Sequence, residues 1–292
     1  MMNGILVVNK EKDLTSRDVV NKLCHIFNTK KVGHTGTLDP IATGVLVVVL
    51  GSSLKIVDYI TSLDKEYIAK VKLGINTDTL DITGNVLEEK EVNITNEDID
   101  KVLKEFPQDY DMEVPIYSAI KVNGKKLYEY ARNNIPVELP HHIVKIYSLE
   151  RISDIKDNSF YIKCHVSKGT YIRSLIRDIC KNLNTVGVME ELQRTKQGKF
   201  TIEESYTLDD IEKGNYKLLN MIDVLDLPKV EIDNLELLKK VTNGNKLTNI
   251  YNYPEFIFTY NNEVIAIYKE ENDIVKPVKV FNSSIESLIK AN

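Results

Sequence analysis

Apolar and polar residues follow three patterns along this chain, and each predicts a different element. Ile5–Val8 and Val45–Leu50 are unbroken apolar runs, as in strands buried on both faces. In EYIAKVKLG, Tyr67, Ala69, Val71 and Leu73 are separated by Ile68, Lys70 and Lys72; a repeat of two predicts a strand with one face inward. Spacings of three and four predict helices. Val19, Leu23, Ile26 and Phe27 fall on one face of a helix capped by Ser16, and Ile172, Leu175, Ile176 and Ile179 on one face of a helix opening after Gly169. TNEDIDKVLKEF begins with Thr95 and Asp98 at capping-box spacing. A short helix is expected over Ser53–Leu63.

Turn residues mark the joints. Asn123-Gly124 makes IYSAIKVNGKKLYEYA a hairpin. ARNNIPVELPHH has two prolines and no period, so it reads as a loop. Strands are expected around Ile143–Ile155 and Phe160–Val166. Near Leu227-Pro228 the pattern changes: a helix over Asp233–Val241 stops at Asn243-Gly244, and strands Phe256–Tyr260 and Val264–Lys269 meet at Asn261-Asn262. Two units are therefore expected, 1–227 and a small β-rich one at 228–292. Strands and helices mix without strict βαβ alternation, which makes the fold class α+β.

A formal net charge of −5 means that any nucleic-acid contact needs a local basic surface. The three cysteines, Cys24, Cys164 and Cys180, lie far apart with no C-x-x-C, against a disulfide framework or a zinc site. The start has no signal-peptide layout and no apolar run is long enough to span a bilayer. A reduced, cytoplasmic protein without membrane contact is expected.

The chemical question centres on KKVGHTGTLDPIATGVLVVVLG, where Asp39 is the lone carboxylate between a small-residue loop and the core. Asp followed by Pro commonly opens a turn or helix. Gly33, Gly36 and Gly44 equally allow close approach of a bulky ligand, so both readings stand. No nucleotide-binding glycine pattern and no G-x-S-x-G elbow for His34 are present. His141-His142 reads as a solvated loop pair, and Asp78 and Asp81 in NTDTLDITG as a polar turn. Arg173 and Arg177 share a helix face; turned inward, Arg173 needs a carboxylate partner. Lys121, Lys125, Lys126 and Arg132 interleave with Tyr117, Tyr128 and Tyr130, the combination of charge and π-faces that single-stranded or looped RNA takes.

Taken in order, GHTGTLDPIATGVL, DKEYIAKVKLG, TDTLDITG, YSAIKVNGKKLYEYAR and SKGTYIRSLIRDI resemble the bacterial tRNA pseudouridine-55 synthases, the TruB family, from about Gly4 to about residue 225. The C-terminal tail is similar in layout to a PUA-like RNA-binding module. Two elements depart from the family pattern. Glu11 and Asp13 stand at its Pro and Gly positions in KEKDLTS, and MEVPIYS carries Met112 and Val114 where the pattern has Gln and Pro.

The resemblance implies a pseudouridine synthase fold: a mixed, largely antiparallel sheet flanked by helices, with an RNA-gripping insertion at about 121–145. It implies Asp39 as catalytic carboxylate, paired with Arg173, and Tyr67 stacked on a flipped uridine with its hydroxyl near the reacting centre. Tyr171 and Leu192 would line that pocket, His34 would fill the RNA where the base departed, and Lys121, Lys125, Lys126 and Arg132 would grip it. The reaction is an isomerisation without net redox or hydrolysis, so neither cofactor nor metal is expected. The partner implied is the T-arm of tRNA, bound by a monomer without a protein partner. A non-catalytic tRNA-binding or folding factor, a synthase for another RNA position, and a hydrolase of small nucleoside-like substrates are the rival readings.

Overall fold

A computed structural model describes residues 2–281; residues 282–292, the end of the expected second unit, lie outside the described residues. In chain order come β1 (Gly4–Lys10), α1 (Ser16–Ile26), β2 (Val32–His34), β3 (Thr43–Leu50), a 3-10 segment (Gly51–Ile56), α2 (Val57–Thr61) and β4 (Lys65–Leu73). The ribbon β5 (Ile75–Thr77) and β6 (Val86–Glu89), α3 (Asn96–Glu105) and β7 (Asp109–Glu113) follow. Next are β8 (Lys121–Val122), β9 (Lys125–Lys126), α4 (Leu127–Arg132), β10 (His141–Arg151), β11 (Ser159–Val166), α5 (Ile172–Asn182), β12 (Gly187–Gln197), β13 (Phe200–Thr201), α6 (Leu208–Glu212) and α7 (Met221–Val224). The rest comprises β14 (Lys229–Glu231), α8 (Leu235–Thr242), β15 (Leu247–Thr248), β16 (Glu255–Tyr260), β17 (Glu263–Glu271) and β18 (Ile274–Val280).

The main sheet runs β1-β3-β12-β4-β11-β10-β7, with β2 on β3 and β13 on β12. Its pairs are antiparallel except β3 with β12, which run parallel at Thr43–Gln193 and Gly44–Arg194. The apolar runs are apolar because β1 and β3 are covered on both faces. Leu6, Val8, Leu46, Val48 and Leu50 enter the core beneath α1 and α5. Ile5, Val7, Val45, Val47 and Val49 face Phe200, Ile222 and Val224, and then Ile257, Val264 and Ile267 of the second sheet. That sheet, β14-β16-β17-β18-β15, has its own core around Phe256, Phe258 and Tyr268, with Leu238 and Val241 of α8.

Local chemistry corrects several expectations. The cap of α1 is Thr15, whose side chain accepts from the Asp18 N–H while Asp18 reaches back; Ser16 is free to turn inward. The expected 53–63 helix is divided between the 3-10 segment and α2, because Gly51, at φ 62°, turns the chain sharply out of β3 and buries Ile56 and Ile60. The Asn123-Gly124 turn is present but joins strands of only two residues. Tyr128 and Tyr130 then lie on α4, where Leu127 and Tyr130 are buried at helical spacing. His141 and His142 open β10, paired with Glu113 and Met112, and are not in a loop.

Candidate active site

Asp39 follows Leu38 in a turn closed by the Ala42 N–H donating to the Asp39 carbonyl at 3.0 Å. Three parts of the chain hold that turn. Ser16, from the start of α1, accepts the Leu38 N–H at 2.9 Å and donates back to its carbonyl at 3.3 Å. Lys10, fully buried at the end of β1, donates to the carbonyls of Glu11 (2.9 Å), Leu14 (2.6 Å) and Pro40 (3.3 Å). The Asp13 N–H donates to the Pro40 carbonyl at 2.8 Å. Asp13, at the family's Gly position, keeps a left-handed φ of 66°, a conformation that Asp tolerates better than most residues.

The carboxylate meets Arg173 in the first turn of α5. Nε lies 3.0 Å from Oδ2 and Nη2 donates to Oδ1 at 3.3 Å, the two-bond fork that a guanidinium makes with a carboxylate. The remaining donors reach the carbonyls of Thr79 and Tyr117, both at 3.1 Å. The Thr79 turn is itself stapled by Asp81, which accepts from Thr79 and Thr83, and by Asp78, which accepts from Asn85. Arg173 is 6% exposed at its side chain and Asp39 33%. The charge is therefore buried on the arginine side and open on the aspartate side.

Asp39 opens into a cleft of about 730 Å³ whose lining includes Tyr67, Tyr117, Tyr128, Tyr171, Leu192 and Arg194. Tyr67 comes from the inward face of β4 and Leu192 from β12. Tyr171 precedes α5, its N–H donating to the Met112 sulfur at 3.2 Å, so the methionine at the family's Gln position still serves as an acceptor. Burial raises the Tyr171 pKa above the ordinary phenol value. Five expected residues thus share one cleft: Asp39, Tyr67, Arg173, Tyr171 and Leu192.

The others lie outside it. His34, at the end of β2, is half-buried, and burial together with the charges of Arg17 and Arg194 lowers its pKa. Lys121, Lys125 and Arg132 are exposed on the segment whose Ala119 and Tyr128 line the cleft. Lys126 and Arg132 each sit 5.4 Å from the centre of the Tyr128 ring, a cation–π distance. Arg177 is paired with Glu113 (2.5 Å) and Asp178 (2.7 Å).

The sequence reading passed over Lys10, Lys65, Arg194 and Gln197 and took Ser16 for a helix cap; all five are buried around the cleft floor. Lys65 donates to the carbonyls of Thr61 and Leu63. Burial brings the pKa of both Lys10 and Lys65 down to about 8, opposed at Lys10 by the charge of Asp39.

Residues 24–172 match the family described as TruB family pseudouridylate synthase (N terminal domain), and residues 173–226 match the tRNA pseudouridylate synthase B C-terminal domain. The chain belongs to the TruB family. It is accordingly an isomerase. Among TruB relatives, the tRNA pseudouridine synthase B of Staphylococcus saprophyticus is 44% identical over 305 residues, covering 97% of this chain and all of that protein. That of Caldanaerobacter subterraneus is 40% identical over 284 residues, 96% of this chain and 99% of the relative. Among solved structures, a Cbf5-Nop10-Gar1 complex aligns with a TM-score of 0.71 at 26% identity, over 95% of this chain and 84% of that one. An H/ACA RNP bound to a substrate RNA containing 2′-deoxyuridine aligns at 0.70 and 24% identity over the same shares. The fold is that of the pseudouridine synthases, and the C-terminal five-stranded sheet is PUA-like. Among the described residues no helix is long and apolar enough to cross a membrane.

Proposed function

We propose that this tRNA pseudouridine synthase isomerises uridine 55 in the T-loop of tRNA, with Asp39 as the catalytic carboxylate. One observation carries the reading: a carboxylate held by two bonds from a buried guanidinium keeps a third of its side-chain surface open to the cleft. Its negative charge is balanced by a cation that cannot give up its proton. The same cleft offers Tyr67, Tyr171 and Leu192 to a planar base.

The target base must leave the T-loop stack to reach Asp39. The bond from C1′ to N1 breaks, the uracil turns, and C1′ bonds to C5. C5 loses a proton and N1 gains one, so the reaction balances without oxidant or water. Asp39 can add to the base, attack C1′, or remove a sugar proton on the way to a glycal, and each route needs the anion. Tyr67, Tyr171 and Leu192 hold the flipped base, and His34 fills the RNA where it was stacked. Lys121, Lys125, Lys126 and Arg132 hold phosphates from the 121–145 insertion. The catalytic unit is 1–227, with an RNA-binding PUA-like module at 228–292, and the protein works on the T-arm without a protein partner.

Incubation with an unmodified tRNA transcript, followed by base-resolved mapping of pseudouridine, tests this. Product at position 55 that disappears with Asp39→Asn is expected. Product elsewhere, or undiminished product from that variant, overturns the reading.

A further inference from the structure

Arg194 on β12 is 3% exposed, yet it has no carboxylate partner among the described residues. A buried guanidinium is costly unless its donors are met. Here they are met by neutral oxygens. Nη2 donates to the Thr37 carbonyl (3.0 Å), and Nη1 to the carbonyls of Val45 (3.2 Å) and Gly36 (3.3 Å). Nε donates to the Tyr67 hydroxyl at 3.3 Å, with the guanidinium carbon 5.5 Å from the ring centre. Gln197 continues the grip, donating to the Thr35 hydroxyl and the Ile60 carbonyl, both at 3.0 Å. Gly44, at φ 96°, permits the approach, because a Cβ there would fall on the Arg194 carbonyl.

We propose that Arg194 is a positioning residue for the reaction, one that fixes the direction of the Tyr67 hydroxyl and ties it to the turn carrying Asp39. The inference rests on the function proposed above. A phenol has one proton, and a guanidinium only donates. Tyr67 Oη accepts from Arg194 and makes no other hydrogen bond among the described residues. Its own proton is therefore turned away from Arg194 and toward the cleft, ready to be given to the occupant. Any negative charge left on that oxygen faces a cation already in contact. Thr37 and Gly36, two and three residues before Asp39, are held by the same planar group. The distance from hydroxyl to carboxylate is thus set by one rigid fork. Lysine keeps the charge but has no Nε–H and no fork.

The test is a double-mutant cycle in single-turnover conversion of unmodified tRNA transcript, using Arg194→Lys, Tyr67→Phe and the double variant. Arg194→Lys should slow conversion about thirtyfold, as for loss of a hydrogen bond to a charged group, with tRNA affinity within about threefold. In the Tyr67→Phe background it should remove no more than about a further threefold, because the two act as a unit. Losses that multiply, an affinity loss as large as the rate loss, or an unchanged rate in Arg194→Lys overturn the proposal. A second measurement needs no turnover. In protein labelled with 3-fluorotyrosine, the resonance missing from Tyr67→Phe should be displaced in Arg194→Lys; an unmoved resonance is equally fatal. If native protein makes no pseudouridine, the proposed function fails, while the fluorine measurement still judges the geometry.

Discussion

The floor and the rim of the cleft both carry cations, under opposite physical conditions. On the floor, Arg173 and Arg194 are nearly inaccessible, and their donors are met by Asp39, by backbone carbonyls and by Tyr67. On the rim, Lys121, Lys125 and Arg132 stand in solvent around two-residue strands and the single short helix α4. Buried charge is tolerated only with fixed partners, so the floor has defined geometry. Exposed charge needs no fixed partner and is screened by salt, so the rim offers attraction without precise placement. Under the proposed function, chemistry belongs to the floor and capture of RNA to the rim.

The sharpest way to break that division is Asp39→Asn. The amide preserves shape and removes the charge. Conversion should fall about 10⁴-fold or more, the scale seen when an essential side chain of a catalytic unit is lost, with tRNA affinity within about threefold. A larger loss in binding than in conversion would return Asp39 to the role of a turn cap. Arg173→Lys comes next. It keeps the positive charge and loses the fork to Oδ1 and Oδ2, so conversion should drop between about 10² and 10³-fold. A single-turnover assay at saturating protein separates this from binding.

How much of this contrast was legible in the chain depended on how cleanly each strand kept its period. β1, β3, β4 and β11 announced themselves, because apart from the terminal residues Lys10, Lys65 and Ser159 their buried faces are filled by apolar side chains and glycine in regular order. β12 did not, although it lies at the centre of the sheet. Its buried positions include Arg194 and Gln197 beside Leu192, and its register against β4 shifts between Met189 and Glu191 and again between Arg194 and Lys196. Each bulge moves the inward face by one residue and erases the alternation. Lys10 was hidden for a related reason: a polar residue at the end of an apolar run looks like a strand reaching solvent. Asp39, Tyr67 and Arg173 were found through resemblance, since Asp-Pro alone also fits a capped turn. The missed residues belong to the support of the site, where polar groups are buried for geometry and leave no periodic trace.

The floor can also be told from the rim by titration. Lys10 and Lys65 are buried with their pKa brought down to about 8, whereas an unfolded lysine keeps its proton to about 10.4. Below pH 8 both states are protonated and the folded protein bears the full burden of the buried charge. Between about 8 and 10.4 the unfolded chain holds a proton that the folded chain has released, so this contribution makes stability rise with pH. For Lys10 the gain is on the order of 3 kcal/mol across the window. Urea unfolding of native protein and Lys10→Met, at intervals from pH 8 to 10, should show that the substitution removes this upward component. Equal slopes in the two proteins would mean that Lys10 does not titrate as a buried group.

The smallest expected effect concerns the rim itself. Replacing Lys121, Lys125 and Lys126 together by alanine removes solvated charges that hold no fold together, since Lys121 and Lys125 are exposed and Lys126 only rests on Tyr128. If they meet phosphates, tRNA affinity at low salt should fall about tenfold. The slope of log affinity against log salt should become shallower by about two, at 0.7–0.9 per lost phosphate contact. The two proteins should then converge in affinity as salt rises, because the lost interaction is the one that salt screens. Conversion at saturating protein should stay within about threefold of native, because none of the three reaches Asp39 or Tyr67. A collapse of that rate at unchanged affinity would show that the 121–126 segment completes the catalytic geometry, and the separation of floor from rim would have to be given up.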